Sequence, residues 1–172
     1  MKSRTRLFVT TILAAALLPG MAGAAVYSNG VPKSATFDVT MRIIADCTIS
    51  ANGIDFGQNQ GVLKTAVTGN SAINVTCTNT TPYNIGLNPG NGAGSTGTTR
   101  YMVGTGANTG KVRFNLYQSA SGGEWGNTQG SDTVGGTGNG AAQTLTVYGE
   151  IPVQDTPAPD AYKSTITATV YF

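Results

Sequence analysis

Short segments in which apolar and polar residues alternate one by one recur along this chain, and they restrict it to β structure. Because successive side chains of a strand point to opposite faces, each segment presents one apolar and one polar face. Beyond the first 24 residues, no stretch shows the apolar spacing of a helix. Short strands separated by turn residues predict an all-β sandwich of immunoglobulin-like type. The segments predicted to be strands are 35–43, 47–50, 71–78, 83–88, 100–103, 111–118, 144–151 and 163–172.

The most regular alternation lies in segment 35–43, and its apolar face must be covered by a partner surface. That face consists of Ala35, Phe37, Val39, Met41 and Ile43. Two interpretations are open: the segment is the first strand of its own sandwich, or it covers another surface. A second alternating segment, 165–172, favours the latter, because a sheet that ends on it leaves an edge to be covered.

The first 24 residues have the features of an export signal. Basic residues precede an apolar run from 7 to 18, and Ala22-Gly23-Ala24 supplies the small residues that a signal peptidase recognises. The run is too short to span a bilayer as a permanent helix. We therefore predict a signal peptide over 1–24, cleavage after Ala24 and passage through the periplasm.

The charge balance changes when this leader is removed. The full chain has ten basic and eight acidic residues, and three of the basic ones, Lys2, Arg4 and Arg6, belong to the leader. The mature chain therefore carries seven basic and eight acidic groups, a net charge of −1. Nothing in this balance favours nucleic acid or an anionic membrane surface as a partner.

Cys47 and Cys77 are the only cysteines. Export to an oxidising compartment favours a disulfide between them over two reduced buried thiols, and both occupy the inward phase of their segments. Such a bridge, which closes a loop of about thirty residues, would stabilise the fold by about 3–4 kcal/mol. No histidine and no third cysteine is present to complete a metal site, so we predict none.

Three connections are also predicted. The Asn52-Gly53 pair predicts a tight reversal before Ile54-Asp55-Phe56-Gly57. Segments 91–98 and 119–142 consist mainly of Gly, Ser, Asn and Thr, so we expect surface loops that contribute nothing to the core. Trp125 lies in the second of these loops, where it either anchors the loop or stacks on a sugar, and anchoring is favoured.

Catalytic chemistry is disfavoured. Gly92, Gly94 and Gly97 have the spacing of a dinucleotide-binding loop, but a strand is predicted after them where that chemistry needs a helix. A glycosidase would require Glu124 to face Glu150 or Asp132 across a cleft. The lack of histidine removes the usual acid–base and triad chemistry. We therefore predict that the protein is not an enzyme and uses no cofactor.

An ordered set of motifs gives the chain a family resemblance. The set consists of the alternating segment running into Cys47-Thr48, Ile54-Asp-Phe-Gly57, Ile73-Asn-Val-Thr-Cys77, Tyr148-Gly-Glu-Ile-Pro152 and the closing segment from Tyr162 to Phe172. Together they resemble the spore coat protein U domain of archaic chaperone–usher pilus subunits, over nearly the whole mature chain. Two positions depart from the family pattern, Asp160 and Ser164, around the turn that leads into the closing segment.

The resemblance implies an incomplete immunoglobulin-like sandwich that lacks its last strand and is completed by a neighbouring subunit. Residues 25–45 would be an N-terminal extension that holds the donor strand, and 46–172 the pilin domain. The partners implied are a periplasmic chaperone, an outer-membrane usher and further subunits in a head-to-tail polymer. The donor residues would be Phe37, Val39, Met41 and Ile43, and the acceptor residues that also bind the chaperone would be Ile166, Ala168, Val170 and Phe172.

The expected function is that of a structural pilus subunit at the cell surface, which supports adhesion or biofilm formation. The length of the chain favours a shaft or minor subunit over a two-domain tip adhesin. Two alternatives stay open. In one, the protein is a self-complemented coat protein in which 35–43 fills its own groove; in the other, it is a carbohydrate-binding module that uses Trp125 and the long loops.

Overall fold

The computed structural model describes Gly30, residues 32–58 and residues 63–172. The predicted signal peptide lies outside them. The chain divides into two compact units, Met1–Thr40 and Met41–Phe172. In the first unit, the described residues are exposed and have neither helix nor strand. The second unit contains the strands.

Nine strands and no helix occur in the described part of the chain, which confirms the all-β prediction. No membrane-crossing helix is found there either. All strand pairs are antiparallel. One sheet has six strands in the order β1-β2-β7-β5-β4-β8, and the other has three in the order β6-β3-β9. The strands are β1 Cys47–Ala51, β2 Val67–Cys77, β3 Pro82–Leu87, β4 Arg100–Gly104, β5 Lys111–Tyr117, β6 Val134–Thr137, β7 Ala142–Ile151, β8 Tyr162–Lys163 and β9 Ala168–Tyr171.

The core follows the two-residue period of the sequence. The inward positions predicted in three strands are buried, which places these alternating faces between the sheets. They are Ile73, Val75 and Cys77 of β2, Tyr83, Ile85 and Leu87 of β3, and Val112, Phe114 and Leu116 of β5. Val147 of β7 is also buried, and Leu145 packs against the cluster.

The longest pairing joins β2 and β7, which face each other from Val67↔Ile151 to Thr76↔Ala142. The predicted segment 71–78 misses the first residues of β2. Its inward positions there are Val67 and Gly69, and the glycine interrupts the apolar alternation.

The disulfide between Cys47 and Cys77 is present, as predicted, with a sulfur–sulfur distance of 2.02 Å. The two residues are direct cross-strand partners in β1 and β2, and their Cα atoms are 4.1 Å apart. The pairs on either side carry the main-chain hydrogen bonds, for example from Thr78 N to Asp46 O at 2.9 Å. The cysteines therefore occupy a non-hydrogen-bonded pair, where side chains come closest.

The closing segment differs from its prediction as a single strand over 163–172. β8 pairs with β4 in the six-stranded sheet, whereas β9 pairs with β3 in the other sheet. Residues 164–167 cross between the two sheets without belonging to a strand. Alternation reports the face of an extended chain and not the sheet to which it belongs, so the sequence gives no sign of this change.

Two predicted connections are wrong. Asn52-Gly53 makes no tight reversal, because Asn52 N donates to Ala72 O at 3.0 Å and the chain continues alongside β2. The segment 119–142 contributes to the core, since it contains β6 and the fully buried Trp125. Val134 of β6 also packs against the core cluster. Two large apolar side chains thus anchor to the core a segment whose other residues are mostly small and polar.

Candidate functional site

A groove of about 390 Å³ opens between the segment that follows β1 and the segment that joins β8 to β9. One wall is formed by residues 51–56 and the other by residues 163–168. The first wall continues from β1, the terminal strand of the six-stranded sheet, and the second wall leads into β9, a terminal strand of the other sheet. The groove therefore lies along an open side of the sandwich.

The floor of this groove is apolar and is contributed by both sheets. Its residues are Ile73, Leu87, Met102, Phe114, Leu116 and Val147. Five of them belong to the buried core, and Met102 packs against it. The groove thus reaches the core itself, so an apolar chain laid in it would join the core and not only cover a surface.

The first wall rests on a pair of glycines. Gly69 and Gly149 face each other across β2 and β7. A Cβ atom added at Gly149 would lie 2.9 Å from Phe56 Cζ and 3.1 Å from Ile54 Cδ1, and one added at Gly69 would lie 3.1 Å from Ile54 Cγ2. The missing side chains therefore make room for Ile54 and Phe56, which hold this wall against the sheet.

A turn ends the first wall. Gly57 has a φ of +72°, a conformation that glycine adopts without strain. Its N–H donates to Asp55 Oδ1 at 2.8 Å. This side-chain-to-backbone bond is an Asx turn and explains the residue types of the Ile-Asp-Phe-Gly motif.

The second wall is held by two asparagines that follow β3. Asn91 Oδ1 accepts from Thr165 N at 2.8 Å, and Asn88 Oδ1 accepts from Thr167 N at 2.8 Å. These side chains replace the partner strand that residues 164–167 lack. The wall is thereby kept extended while Ile166 and Ala168 line the groove.

The main chain of β9 is paired on one side only within the described residues, since β9 ends its sheet. Its partner is β3, from Asn84↔Tyr171 to Leu87↔Ala168. β1 is likewise a terminal strand and pairs with β2. Both edges offer main-chain donors and acceptors to an added strand.

The predicted acceptor residues are distributed unevenly. Ile166 and Ala168 line the groove, and Val170 packs against the core cluster next to them. Phe172 is 59% exposed and is not among the lining residues.

The predicted donor residues are exposed and lie outside any strand. The exposed fractions are 85% for Phe37, 86% for Val39, 83% for Met41 and 73% for Ile43. Ile44, which the alternation omits, is 68% exposed as well. The protein therefore keeps a run of large apolar side chains in solvent, a costly arrangement that usually marks an interaction surface.

Arg100, whose role was not predicted from the sequence, donates hydrogen bonds to main-chain oxygens of separate segments. Arg100 is fully buried and donates through Nε to Asn88 O and through Nη2 to Leu87 O, at 3.1 and 2.9 Å. Nη2 also donates to Trp125 O at 2.6 Å. Burial lowers the pKa of the guanidinium, and the nearby charges of Glu124 and Asp132 oppose that change. Nothing in the sequence around Arg100, at the start of an alternating strand, predicts that it is buried and donates to main-chain oxygens.

Trp125 anchors its loop, as the favoured interpretation predicted. Its ring is fully buried, and Nε1 donates to Ile85 O at 2.7 Å. The alternative, in which this ring stacks on a sugar, is therefore wrong.

Two of the three carboxylates considered for a glycosidase, Glu124 and Asp132, are engaged in hydrogen bonds within the loops. Glu124 accepts from Thr98 Oγ1 at 2.5 Å, and Asp132 accepts from Thr128 N at 2.6 Å. Both bonds are local to the loops around Arg100. The glycine-rich stretch 92–97 leads into β4, so no helix follows it to bind a pyrophosphate.

Comparison with known proteins gives one family match. The family described as Spore Coat Protein U domain matches residues 33–169. The matched region includes the alternating segment, both walls of the groove and most of β9. The comparison with curated proteins gave no match.

Among solved structures, the fold is similar to the CsuC–CsuE chaperone–tip adhesion subunit pre-assembly complex of Acinetobacter baumannii Csu pili. The TM-score is 0.53 at 23% identity, over 76% of this chain and 40% of that one. The E. coli Hda pilus minor tip subunit HdaB gives a TM-score of 0.41 at 16% identity, over 74% of this chain and 82% of that one. The first likeness supports the immunoglobulin-like fold, and the chain spans less than half of that protein's length.

Proposed function

The chain belongs to the Spore Coat Protein U domain family, and from this premise we propose that it is a structural subunit of a surface pilus. We further propose that its sandwich lacks a last strand and receives one from a neighbouring subunit. The observation that carries the proposal is the groove, whose floor consists of core side chains from both sheets. A segment added between two open sheet edges would bury that floor and pair with main-chain groups on the way.

The proposed donor is the alternating segment. Phe37, Val39, Met41 and Ile43 share one face of an extended chain and are each more than 70% exposed. Burying each of them in a neighbour's groove would contribute about 1.5–3 kcal/mol. Four such anchors together would contribute about 6–12 kcal/mol, which is comparable to the association cost of about 4–15 kcal/mol, and main-chain pairing along the added strand would supplement them.

The proposed acceptor is the second wall with the strand that follows it. Ile166 and Ala168 would contact donor side chains in the groove, and Val170 would extend the apolar strip along β9. Phe172 lies at the exposed end of this strip and would contact the chaperone or the incoming donor there. The free edge of β9 would supply the main-chain pairing.

Donor and acceptor are different surfaces of one chain, so their contact does not close on itself. Repetition of a heterologous contact of this kind produces a fibre. The groove also has to be covered before polymerisation, because an open edge with an apolar floor invites aggregation. We propose that a periplasmic chaperone covers it first and that the donor of the next subunit replaces the chaperone at an outer-membrane usher. The Csu complex pairs a chaperone with a tip subunit before assembly, which supports this order.

The proposed organisation follows from these roles. Residues 1–24 direct export and are removed, 25–45 provide the donor, and 46–172 form the pilin domain. The product is a pilus at the cell surface that supports adhesion or biofilm formation. None of these roles requires catalysis.

The test is a deletion of residues 25–44 from the mature chain. The truncated protein should still bind the chaperone, because groove, disulfide and strands all lie beyond residue 44. It should fail to donate to another subunit, so the ladder of SDS-resistant multimers that the full chain forms should be absent. Normal ladders from the truncated chain would overturn the proposal. An SDS-resistant monomer of the full chain that loses stability on truncation would instead indicate self-complementation.

A further inference from the structure

A second concave site lies on the outer face of the six-stranded sheet, away from the core. It has a volume of about 280 Å³ and is formed on β2, β5 and β7. Neither the family match nor the groove assigns a role to it. Its lining residues are Thr68, Gly69, Asn70, Tyr117, Ala120, Tyr148, Gly149 and Glu150.

Strand register arranges the outward side chains in two rows of three. Asn70, Tyr148 and Tyr117 form the first row, because Tyr148 is the partner of both other residues. Thr68, Glu150 and Asn115 form the second row by the same rule. Neighbouring strands lie about 4.8 Å apart, and the rows are separated by about 7 Å along the strands. Two tyrosine rings thus stand side by side, one row from a carboxylate.

The Tyr117 ring is held by a neighbouring side chain of its own strand. Asn115 is only 7% exposed, and its Nδ2 donates to the Tyr117 hydroxyl at 2.9 Å. This bond occupies an acceptor position of the hydroxyl and leaves its hydrogen free to be donated. Asn115 Oδ1 is buried and has no partner within the described structure. A buried carboxamide used in this way orients the ring of Tyr117 before any ligand arrives.

The remaining polar groups point outward without protein partners. Within the described part of the chain, no side-chain hydrogen bond engages the Glu150 carboxylate, the Asn70 amide or the Tyr148 hydroxyl. The carboxylate only accepts hydrogen bonds, whereas the amide and the hydroxyl groups both donate and accept. A ligand that uses all of them must carry several groups that donate and accept, together with an apolar face for the rings.

We propose that this pocket binds a neutral sugar residue of a glycan. The ring hydroxyls of a sugar donate to Glu150 and accept from Asn70 and the tyrosine hydroxyls, and its C–H face packs on the rings. The volume is just below the range of about 300–1,000 Å³ that drug-sized ligands occupy, so it fits a single sugar ring.

Charge separates this ligand class from two others. An anionic ligand would face Glu150, and none of the described lining residues is Lys or Arg. A cation would satisfy the carboxylate and the ring faces, but it would leave the donors of Asn70 and Thr68 unused. The neutral sugar is the class that engages the whole set.

The site is independent of the groove, so it is tested on the mature full-length chain as purified. Saturation-transfer NMR would use the methyl glycosides of glucose, galactose, mannose and N-acetylglucosamine, with N-acetylneuraminic acid and tetramethylammonium as charged probes. Glu150→Gln removes the charge and keeps the shape, and Tyr148→Ala removes a ring. Thr146→Ala is the matched control, since Thr146 points outward from the same strand and does not line the pocket.

We expect one or more neutral glycosides to bind, with affinity lowered about tenfold or more by Glu150→Gln, because the hydrogen bonds that the sugar donates to residue 150 would no longer be made to a charged group. Tyr148→Ala should abolish binding, and Thr146→Ala should leave it unchanged. An unfolding midpoint close to that of the wild type would show that each variant is folded. Binding of a charged probe only, binding of none of the glycosides, or equal weakening by Thr146→Ala would each overturn the proposal.

Discussion

The guanidinium of Arg100 hydrogen-bonds the main-chain oxygen of Trp125 at 2.6 Å, and both residues are fully buried. Arg100 stands at the start of β4, whereas Trp125 belongs to the long connection between β5 and β6. The contact therefore fastens a glycine-rich loop to the sandwich through one side chain. Asn88, which also positions the second wall of the groove, accepts from the same guanidinium.

Replacing Arg100 by Leu should lower the free energy of unfolding by about 3 kcal/mol, because buried carbonyl oxygens would lose their donor. Chemical denaturation of the purified chain measures the change. Arg113→Leu is the control, since Arg113 is an exposed residue of the neighbouring strand and should change stability by less than about 0.5 kcal/mol. Similar losses in both variants would show that the buried hydrogen bonds of Arg100 are not the cause.

Val39→Asp should abolish multimers while the chaperone-bound subunit keeps its protease resistance. A carboxylate on the donor face would be buried without a partner, at a cost of several kcal/mol that cancels about two apolar anchors. Thr40→Asp places the same charge on the opposite face and should polymerise nearly normally. Polymerisation assays beside limited proteolysis compare the two. Identical behaviour of the two variants would mean that the donor face is wrongly assigned.

Gly149→Ala should displace the first wall of the groove. The new Cβ atom would lie 2.9 Å from Phe56 Cζ, so the Phe56 ring must move. We expect a loss of about 1–2 kcal/mol in stability, typical of overpacking, and weaker chaperone binding. Gly123→Ala lies outside the groove, meets no atom within 4 Å and serves as the control. Thermal unfolding and a chaperone pull-down measure the two effects, and an unchanged Gly149→Ala protein would contradict this account of the wall.

Removing the disulfide by a double Cys47→Ala and Cys77→Ala change should lower stability by about 2–4 kcal/mol, mainly by freeing the unfolded chain. The wild-type protein unfolded in the presence of a reductant should show nearly the same loss. Mass spectrometry of periplasmic material should find no free thiol in the wild type. Two free thiols there would refute the bridge as a feature of the exported protein.

The segment with the most regular alternation, 35–43, was predicted as a strand but lies outside any strand, whereas within the sandwich apolar alternation predicted most of the strands. The inward faces of β2, β3 and β5 follow from it, and so does the pairing of Cys47 with Cys77. Alternation failed where large side chains are sparse: Trp125 and Val134 anchor the mainly small and polar segment 119–142 to the core, and the unpredicted start of β2, 67–70, has Gly69 at an inward position. The burial of Arg100 was not predicted, because arginine side chains are usually exposed to solvent.

The two walls of the groove were predictable to different degrees. Ile166 and Ala168 were expected in the acceptor from the family resemblance, and both line the groove. Ile54 and Phe56 lie in a segment that the sequence suggested would follow a tight turn, and only the glycine pair on β2 and β7 explains their position. The outer-face pocket depends on register across three strands, which no local pattern reveals.

The position of the disulfide determines how a fibre of such subunits would carry tension. A pulling force transmitted through a donor segment enters the domain just before Cys47, the first residue of β1. The sulfur–sulfur bond passes that force directly to Cys77, at the end of the strand that pairs with β7 along most of its length. The five residues of β1 are thus bypassed, and they need not be peeled away when the filament is stretched.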